Sequence, residues 1–417
     1  MLYDLGFLEK GSVWPPVGEA GRLGRYAHNR GIFNGTGEGQ LRFGRLMALK
    51  FADLLFGEPP RIAIGGTDWR PPEGFLERAY EVAIDVCRYG TGLFSVHRGL
   101  EGGVPVLDIS QPQHWFVVVD RFNIKRVLWH VLAAEIPAVA CSGADGAGRL
   151  EVQVHGVGEV WLRSYELSDG VVGEMLAEER VDTGLDGFAV LPVHNVATSD
   201  SYFGMDDFGP IEGLVDEVGA RMAQVSRILD KHAEPTMQGP GSALVDDGHG
   251  NLHLGTGNYI VNDSLFDTGI SKVEYITWEA QLGPSFKQLE QLLQFLYMMS
   301  ETGATLLDAS PEAAQAQSGT ALRLRMMSPL AKVNRLRARF DPVIRQAVVH
   351  LAKMDGVLVS VGDVSIIWED GLPDDPMESA QIMQIRTGGA PTIGAREAIK
   401  RLDGVGDDMA QRMVDEI

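Results

Sequence analysis

The chain has few cysteines and none of the short motifs that mark common catalytic or metal sites. Its 417 residues include two cysteines, Cys87 and Cys141, and neither belongs to a CxxC pair. No GK[ST], HExxH or GxSxG sequence occurs, so a Walker A phosphate loop, a zincin helix and a nucleophile elbow are missing. We therefore expect no enzymatic activity, no cofactor, no bound metal and two reduced, buried thiols. A metabolic enzyme is an alternative that no constellation of residues supports.

Long hydrophobic runs are also absent. The opening MLYDLGFLEKG carries Asp4 and Glu9, where a secretory signal would have a basic end and an apolar run. The most apolar stretch, residues 127–141, is interrupted by Glu135 and Pro137 and is too short to span a bilayer. We expect a soluble protein, intracellular at synthesis, with no membrane contact.

Positive charge is scarce, with 36 basic against 57 acidic side chains and a formal net charge of -21. So acidic a chain repels DNA at long range. This argues against a protein that reads DNA sequence, but not against one that lets DNA pass without sticking. The length and a hydrophobic content of 45% allow two or more domains with cores.

The scarce cations gather in SGTALRLRMMSPLAKVNRLRARF, residues 318–340. Six basic residues and no acid occur there: Arg323, Arg325, Lys332, Arg335, Arg337 and Arg339. Apolar positions fall on more than one side of the helix predicted over 320–354, so this helix should be largely packed and its cations should need acidic partners. Pro329 predicts a kink.

The rest of the chain divides into helical and strand-rich parts. Hydrophobic periodicity and turn residues predict helices near 43–57 and 75–90, a strand at 61–66, a mainly antiparallel sheet from 91 to about 200, helices beginning at Pro210 and Pro284, two strands in 357–370, and helices in 376–417 broken near 388 and 404.

The segment DDGHGNLH brings together four side chains that could bind a metal: Asp246, Asp247, His249 and His253. Carboxylates and imidazoles are metal ligands. The glycines between them instead favour a hairpin turn with solvated polar residues. The hairpin is the interpretation we adopt.

The tail AIKRLDGVGDDMAQRMV, residues 398–414, matches a helix-hairpin-helix, whose glycine amides contact a DNA phosphate. Asp407 and Asp408 lie where that phosphate would approach and would repel it. The other interpretation is two short helices joined by a glycine turn, with these aspartates capping the second helix.

Ordered blocks of sequence carry a family resemblance. The chain resembles the portal proteins of tailed bacteriophages, the head–tail connectors, in particular those of siphophages. The resemblance covers most of the chain and rests on LMALKFADLLFGEPPRIAI, GTGLFSVHRG with LDISQPQHWFVVVD, PIEGLVDEVGARMAQVSRILDKHAEP, SGTALRLRMMSPLAKVNRLRARF and REAIKRLDGVGDDMAQRMVDE.

The resemblance implies an α+β portal fold assembled as a ring, usually of twelve copies. Its parts would be a strand-rich wing (1–209), a stem of two helices (210–235 and 283–301) around a small α/β clip (236–282), a tunnel loop (302–319), a long kinked helix with returning wing strands (320–375) and a helical crown (376–417). A short N-terminus and a short crown depart from larger relatives.

The resemblance also implies a function and sites. The ring would be the channel at the capsid vertex for packaging and ejection of double-stranded DNA. Its partners would be the terminase large subunit, a head–tail adaptor, and the major capsid and scaffolding proteins, in the virion and, during assembly, in the host cytoplasm. The DNA-channel candidates are Thr305, Asp308, Ser310, Glu312, Gln315, Gln317, Ser318, Arg323 and Arg325. Inter-subunit ion pairs would use Lys332, Arg335, Arg337 and Arg339, and clip contacts would use Asp246, Asp247, His249 and His253.

The alternative is a DNA-binding or DNA-processing protein that uses the tail as a helix-hairpin-helix. It predicts salt-sensitive binding to duplex DNA that weakens when Arg323, Arg335 and Arg339 are neutralised, because each phosphate contact releases counterions. Filter binding at low salt tests this, and the absence of measurable binding removes the alternative.

Overall fold

The structure, a computed structural model, shows a mixed α/β chain with helices and several small sheets. It describes residues 12–13, 19–34, 42–99, 103–137, 148–168, 170–233, 236–239, 245–246, 252–253, 258–261, 274–275, 282–303, 324–369, 376–388, 391–403 and 405–416.

The helices of the described residues are numbered in chain order. They are α1 (Glu19–Asn34), α2 (Phe43–Phe56), α3 (Phe75–Tyr89), α4 (Glu212–Ala233), α5 (Gly283–Met299), α6 (Met327–Met354), α7 (Pro376–Thr387), α8 (Ala395–Asp403) and α9 (Asp407–Glu416).

The strands before α4 form three sheets with the strand that follows α6. They are β1 (Ser12–Val13), β2 (Arg61–Ile64), β3 (Thr67–Asp68), β4 (Thr91–Arg98), β5 (Pro105–Ile109), β6 (Trp115–Asp120), β7 (Val127–Ile136), β8 (Gly148–His155), β9 (Glu159–Ser168), β10 (Val171–Asp182), β11 (Val190–His194) and, after α6, β17 (Val364–Ile367). The sheet orders are β1-β6-β7-β8-β9-β10, β11-β4-β5 and β17-β2-β3.

Short strands lie between α4 and α5. They are β12 (Thr236–Gly239), β13 (Val245–Asp246), β14 (Leu252–His253), β15 (Asn258–Val261) and β16 (Glu274–Tyr275). Strand β12 pairs in parallel with β15 and antiparallel with β16, while β13 and β14 form an antiparallel pair.

The antiparallel sheet predicted from residue 91 onward is confirmed. Strands β6 to β10 pair antiparallel in sequence order, as expected for short β-rich runs separated by turn residues. Strand β10 forms one edge of this sheet, and nearly all its residues are exposed. The free peptide groups of such an edge can pair with another chain.

The long helix α6 lies at the centre of the largest hydrophobic core. Phe340 is fully buried and meets the rings of Phe56 and Phe94 at centroid distances of 5.3 and 6.4 Å, both edge-on. The same core includes side chains of α2, α3, β4 and β5. Edge-to-face aromatic pairs stabilise a fold by more than the area that they bury. Through this core the helix joins the N-terminal helices to the sheets.

The helical backbone is interrupted at Met326, three residues before Pro329, where the kink was predicted. Helix α6 begins at Met327, so Pro329 lies in its first turn, where a missing N–H removes no intrahelical hydrogen bond. The proline inside the helix is Pro342, which cannot donate to the carbonyl of Ala338. The predicted residues 320–323 lie outside the described part of the chain.

Of the other local predictions, one is wrong and several are confirmed. Residues 357–360 form no strand, contrary to prediction, and a 3-10 turn precedes β17. Helices α2 and α3, strand β2, and the breaks in the tail are confirmed. Cys87 is buried and free, as predicted, whereas Cys141 lies outside the described residues.

A glycine is required where α3 ends. Gly90 has a φ of 78° and ends the helix by donating its N–H to the carbonyl of Val86. A Cβ on Gly90 would lie 2.2 Å from the carbonyl oxygen of Gly204. Two stretches of backbone therefore cross in contact here, which only residues without side chains permit.

Two buried histidines, His130 and His155, and the half-buried His194 lie where the six-stranded sheet meets the sheet of β4. Trp115 Nε1 donates to Nδ1 of His130 over 3.1 Å. Because Nδ1 accepts this hydrogen bond, it carries no proton and the imidazole is neutral. Burial, reinforced by the neighbouring His155 and His194, lowers the pKa of His130 to about 3. Burial likewise lowers the pKa of His155 and of His194 to about 4.

These histidines predict loss of stability in mild acid. In the unfolded chain these histidines bind protons near pH 6.5, whereas in the folded chain they do so only near pH 3 to 4. Their contribution to the free energy of unfolding is therefore complete above pH 6.5 and declines as the pH falls toward 4. Urea unfolding of His130→Asn between pH 7 and 4 should show a shallower decline than wild type. The exposed His114→Gln is the control, and equal slopes in all three proteins would contradict the assignment.

Candidate functional site: the base of the segment 304–323

Most of the predicted DNA-channel residues lie outside the described residues. These are Thr305, Asp308, Ser310, Glu312, Gln315, Gln317, Ser318 and Arg323. Their role in a channel stays a prediction. The structure describes the two places from which this segment departs and to which it returns.

The departing end is the turn after α5. Glu301 has a φ of 59°, a left-handed conformation that is uncommon for a residue other than glycine. The hydroxyls of Ser300 and Thr302 lie 2.7 Å apart, and both residues are buried. The turn is therefore held by side chains packed on each side of Glu301.

The returning end is attached to the same place. Arg335 on α6 donates to the carboxylate of Glu301 at 2.5 Å, and a Cβ on Gly303 would lie 3.6 Å from Cδ of Pro329. The first turns of α6 thus pack against the turn after α5. The segment 304–323 begins and ends at one anchored base, which we define as residues 300–303 with Pro329 and Arg335.

Below this base lies a buried ion pair. Lys332 Nζ is 2.9 Å from Oδ2 of Asp207, and the Lys332 side chain is 3% exposed. The ammonium also lies 4.1 Å from the centroid of the Phe51 ring, a cation–π contact. Asn195 Nδ2 donates to the other oxygen of Asp207 over 2.8 Å. The pair connects α6, α2 and the chain before α4.

The thiol of Cys87 faces the same pair. Burial raises the pKa of the Cys87 thiol, and the negative charge of Asp207 raises it further. This thiol stays protonated at neutral pH and behaves as a small apolar group with a weak donor.

Two further arginines fix α6 to its neighbours. Arg337 donates to the carbonyl of Glu369 and, over 3.4 Å, to that of Leu54. Arg345 donates to Asp341 and to the carbonyl of Val364, both over 2.6 Å. Planar guanidinium groups suit such multiple acceptors, so these cations position the helix against α2 and β17.

Two exposed cations of the sequence cluster differ from the exposed Arg335 in their lack of an acidic partner among the described residues. Arg325 and Arg339 have no carboxylate partner within the described part of the chain. Lys332 and Arg335 have partners in the same chain, and Arg337 contacts backbone carbonyls of the same chain. Pairing across a subunit boundary stays a prediction for Lys332, Arg335, Arg337 and Arg339.

The segment DDGHGNLH contains the predicted hairpin. Val245 pairs with His253 and Asp246 with Leu252, whereas Asp247 and His249 lie outside the described residues. Within the described ranges no group of three or more metal-ligating side chains occurs. Contacts of this segment with other proteins stay a prediction.

The tail has the two-helix arrangement common to both interpretations of its sequence. Helices α8 and α9 contact each other, with Ala398 and Ala410 buried, and Asp407 is the first residue of α9. Among the helices that the structure describes, none has both the length and the apolar character needed to cross a membrane.

Sequence reasoning did not identify Asp207 or Glu301 as the partners of the cluster. The chain has 57 acids, and nothing in the spacing marks these two. The run DDFGP at 206–210 could have suggested a capped helix start, but not a buried ion pair.

No protein-family model matches the chain, and no curated protein matches it. Among solved structures it is similar to a chain in the virion of a native gene transfer agent (GTA) particle, with 13% identity, 95% of each chain covered and a TM-score of 0.46. It is also similar to chains in the neck of an empty GTA particle with C6 symmetry (14% identity, 94% of this chain and 95% of that chain, TM-score 0.46) and in the neck of a native GTA particle with C12 symmetry (14%, 94% of each chain, 0.43). TM-scores below 0.5 do not establish a common fold.

The two ion pairs at this site predict very different losses of stability. Lys332→Met leaves the buried Asp207 without its cation and should lower the free energy of unfolding by about 3–5 kcal/mol. Arg335→Met breaks a pair whose arginine is 42% exposed and should cost less than about 1 kcal/mol. Urea titrations measure both, and losses of equal size would contradict the role given to burial.

Proposed function

We propose that the chain is the subunit of a portal ring, the head–tail connector of a phage-like particle. In this proposal the ring provides the channel for packaging and ejection of DNA and has no catalytic activity of its own. The observation that carries the proposal is a pair of helices that flank a small strand module, expose large apolar side chains and have their buried side chains, among those that the structure describes, towards one end.

The helix pair α4–α5 is attached to the core by opposite ends. Val218, in the first half of α4, is buried, and residues 221–230 include no buried side chain. In α5 the order is reversed, because Leu296 near its end is buried and residues 283–295 are not. The two helices contact each other. A pair of this kind supports the assignment of a stem that carries a clip.

The start of α4 is fixed by charge. Arg25 on α1 contacts Glu212 at 2.5 Å and Asp206 at 3.2 Å, and His28 also reaches Glu212. The Arg25 and His28 groups, outweighing the opposing effect of burial, hold the pKa of Glu212 below its ordinary value. A carboxylate at a helix N-terminus is also favoured by the helix dipole. The attached end therefore has a defined position relative to α1.

The helix pair exposes large apolar side chains to water. Phe286 and Phe295 on α5 are 45% and 52% exposed, and Met222 and Leu229 on α4 are exposed to a similar degree. A set of large apolar side chains exposed on neighbouring elements is a feature of surfaces that contact another protein. In a ring, the neighbouring subunit would cover these side chains.

The anchored base supports the assignment of residues 302–319, most of which lie within the segment 304–323, as the tunnel loop that faces DNA. A channel needs loops whose ends do not move and whose side chains do not grip phosphate. The composition of this segment is rich in Ala, Thr, Ser and Gln, which gives few of the cationic phosphate contacts that dominate affinity for DNA. Arg325, exposed beside it, is the nearest described cation.

The remaining parts of the proposal concern partners and location. A terminase large subunit and a head–tail adaptor would dock on the strand module between α4 and α5. Major capsid and scaffolding proteins would contact the wing, the subunit number would be twelve, and the ring would reside at one vertex of the virion after assembly in the host cytoplasm. The family resemblance of the sequence supports these assignments.

Native mass spectrometry and electron microscopy of the purified chain test the proposal. We expect a closed ring, and a monomer that does not assemble at high concentration would overturn it. The variants Phe286→Glu and Phe295→Glu should shift the population to smaller species, because a carboxylate on this surface must be desolvated when a neighbour packs on it.

A matched control is available on the six-stranded sheet. Phe122 is 95% exposed and lies outside the helix pair, so Phe122→Glu should assemble like wild type. Equal assembly of all three variants would contradict a subunit interface on α5.

A further inference from the structure

A polar pocket of about 240 Å³ lies between α1, α3 and the turn before β6, and its lining includes no residue of the anchored base or of the helix pair. Its walls include Arg30, Asp85, Arg88, Tyr89, Gln111 and Gln113. Neither the ring architecture nor the loop uses it.

Arg88 gives the pocket its chemistry. The guanidinium lies 4.4 Å from the ring centroid of Tyr89 and 4.8 Å from that of Phe33, and its side chain is 14% exposed. Its Nε is buried without a hydrogen-bond partner within the described part of the chain. Asp85 Oδ1 lies 3.8 Å from its Nη1, beyond hydrogen-bond distance. Unpaired donors of a buried guanidinium favour an acceptor from outside.

Asp85 neutralises the charge of Arg88 only in part. Burial raises the pKa of Asp85 to about 7, against the lowering influence of Arg88 and with a smaller raising influence of Glu81. At neutral pH a large share of the molecules therefore hold a neutral Asp85. The positive charge of Arg88, with that of the exposed Arg30 at the same pocket, is then compensated in part only.

The side-chain carboxamides of Gln111 and Gln113 indicate which further groups a bound partner would present to the pocket. Gln113 Nε2 donates to Gln111 Oε1 over 2.6 Å, which orients both amides at the wall. Carboxamides pair with peptide N–H and C=O groups as well as with each other. Two guanidinium groups beside two carboxamides suit an acidic side chain presented on peptide backbone.

We infer that this pocket binds a glutamate on the β10 edge of a second copy of this chain. A second copy has an excess of carboxylates, 57 acids against 36 bases, and thus complements two arginines. Strand β10 exposes Glu174 and Glu179, which have no cationic partner within the described residues, along a sheet edge whose peptide groups are free. The inference rests on the proposed ring, in which neighbouring copies meet.

The test is a double-mutant cycle on assembly of the full chain. Arg30→Gln and Arg88→Gln should each raise the subunit concentration needed for half-assembly about tenfold, and Glu174→Gln with Glu179→Gln should do the same. When the changes on the two sides are combined, the loss in assembly should be smaller than the sum of the separate losses. Two residues in contact share one interaction, and the first change already removes it. Arg70→Gln, an exposed arginine outside the pocket, is the control and should assemble like wild type.

The outcomes separate this inference from the proposed function. Rings that form equally well in wild type, Arg30→Gln and Arg88→Gln overturn the pocket and leave the ring intact. Fully additive losses overturn β10 as the occupant. Since Arg30 is exposed, its variant is expected to fold even if Arg88→Gln does not.

If wild type forms no ring, the proposed function fails and the pocket is tested on the monomer. The Nε–H signal of Arg88 is then followed by NMR during titration with N-acetyl-glutamate amide and, separately, with inorganic phosphate. A saturable shift with the glutamate derivative supports a carboxylate site. A response to phosphate only, or to neither probe, overturns it.

Discussion

The ion pair between Lys332 and Asp207 is the interaction on which the rest of the structure depends. It lies where α2, α6 and the chain leading into α4 meet: Lys332 Nζ is 2.9 Å from Oδ2 of Asp207, and Asn195 donates to the other carboxylate oxygen. A buried pair contributes little net stability compared with apolar packing, but it tolerates few alternative arrangements. Since each partner needs the other, α6 has one register against α2 and against the residues before α4.

This register determines the geometry above it. Arg335, one turn from Lys332, meets Glu301 only if α6 has its observed rotation, and Pro329 meets Gly303 under the same condition. The position of the anchored base is therefore a consequence of core packing. A surface pair such as Arg335–Glu301 contributes little stability, so its effect is to select one conformation of the turn after α5.

The sequence predicted the elements better than their contacts. The periodicity of α2, α3, α4 and α5 and the strand runs after residue 91 appear where they were expected, because each is encoded by nearby residues. The helix predicted over 320–354 is interrupted at Met326, close to the kink predicted at Pro329, and α6 begins at Met327. The partners of Lys332 and Arg335 are distant in sequence, and an acidic chain offers too many candidates for spacing to select among them.

The candidate site was accessible to prediction only in part. A polar, small-residue segment before a cationic helix identified where a loop should lie, whereas its anchoring depends on Glu301 in a left-handed conformation. The polar pocket at Arg88 has no signature in the sequence at all. It arises because α1, α3 and the turn before β6 converge, and convergence of distant segments is a property of the tertiary fold.

The anchoring of both ends of the segment 304–323 has a consequence for how this protein can vary. A loop whose ends are already held together loses only about 0.6 kcal/mol of stability for each doubling of its length. Insertions and deletions within the segment would thus leave the packing of α5 and α6 almost unchanged. Descendants of this chain can alter the length of this segment while every residue of the anchored base stays the same.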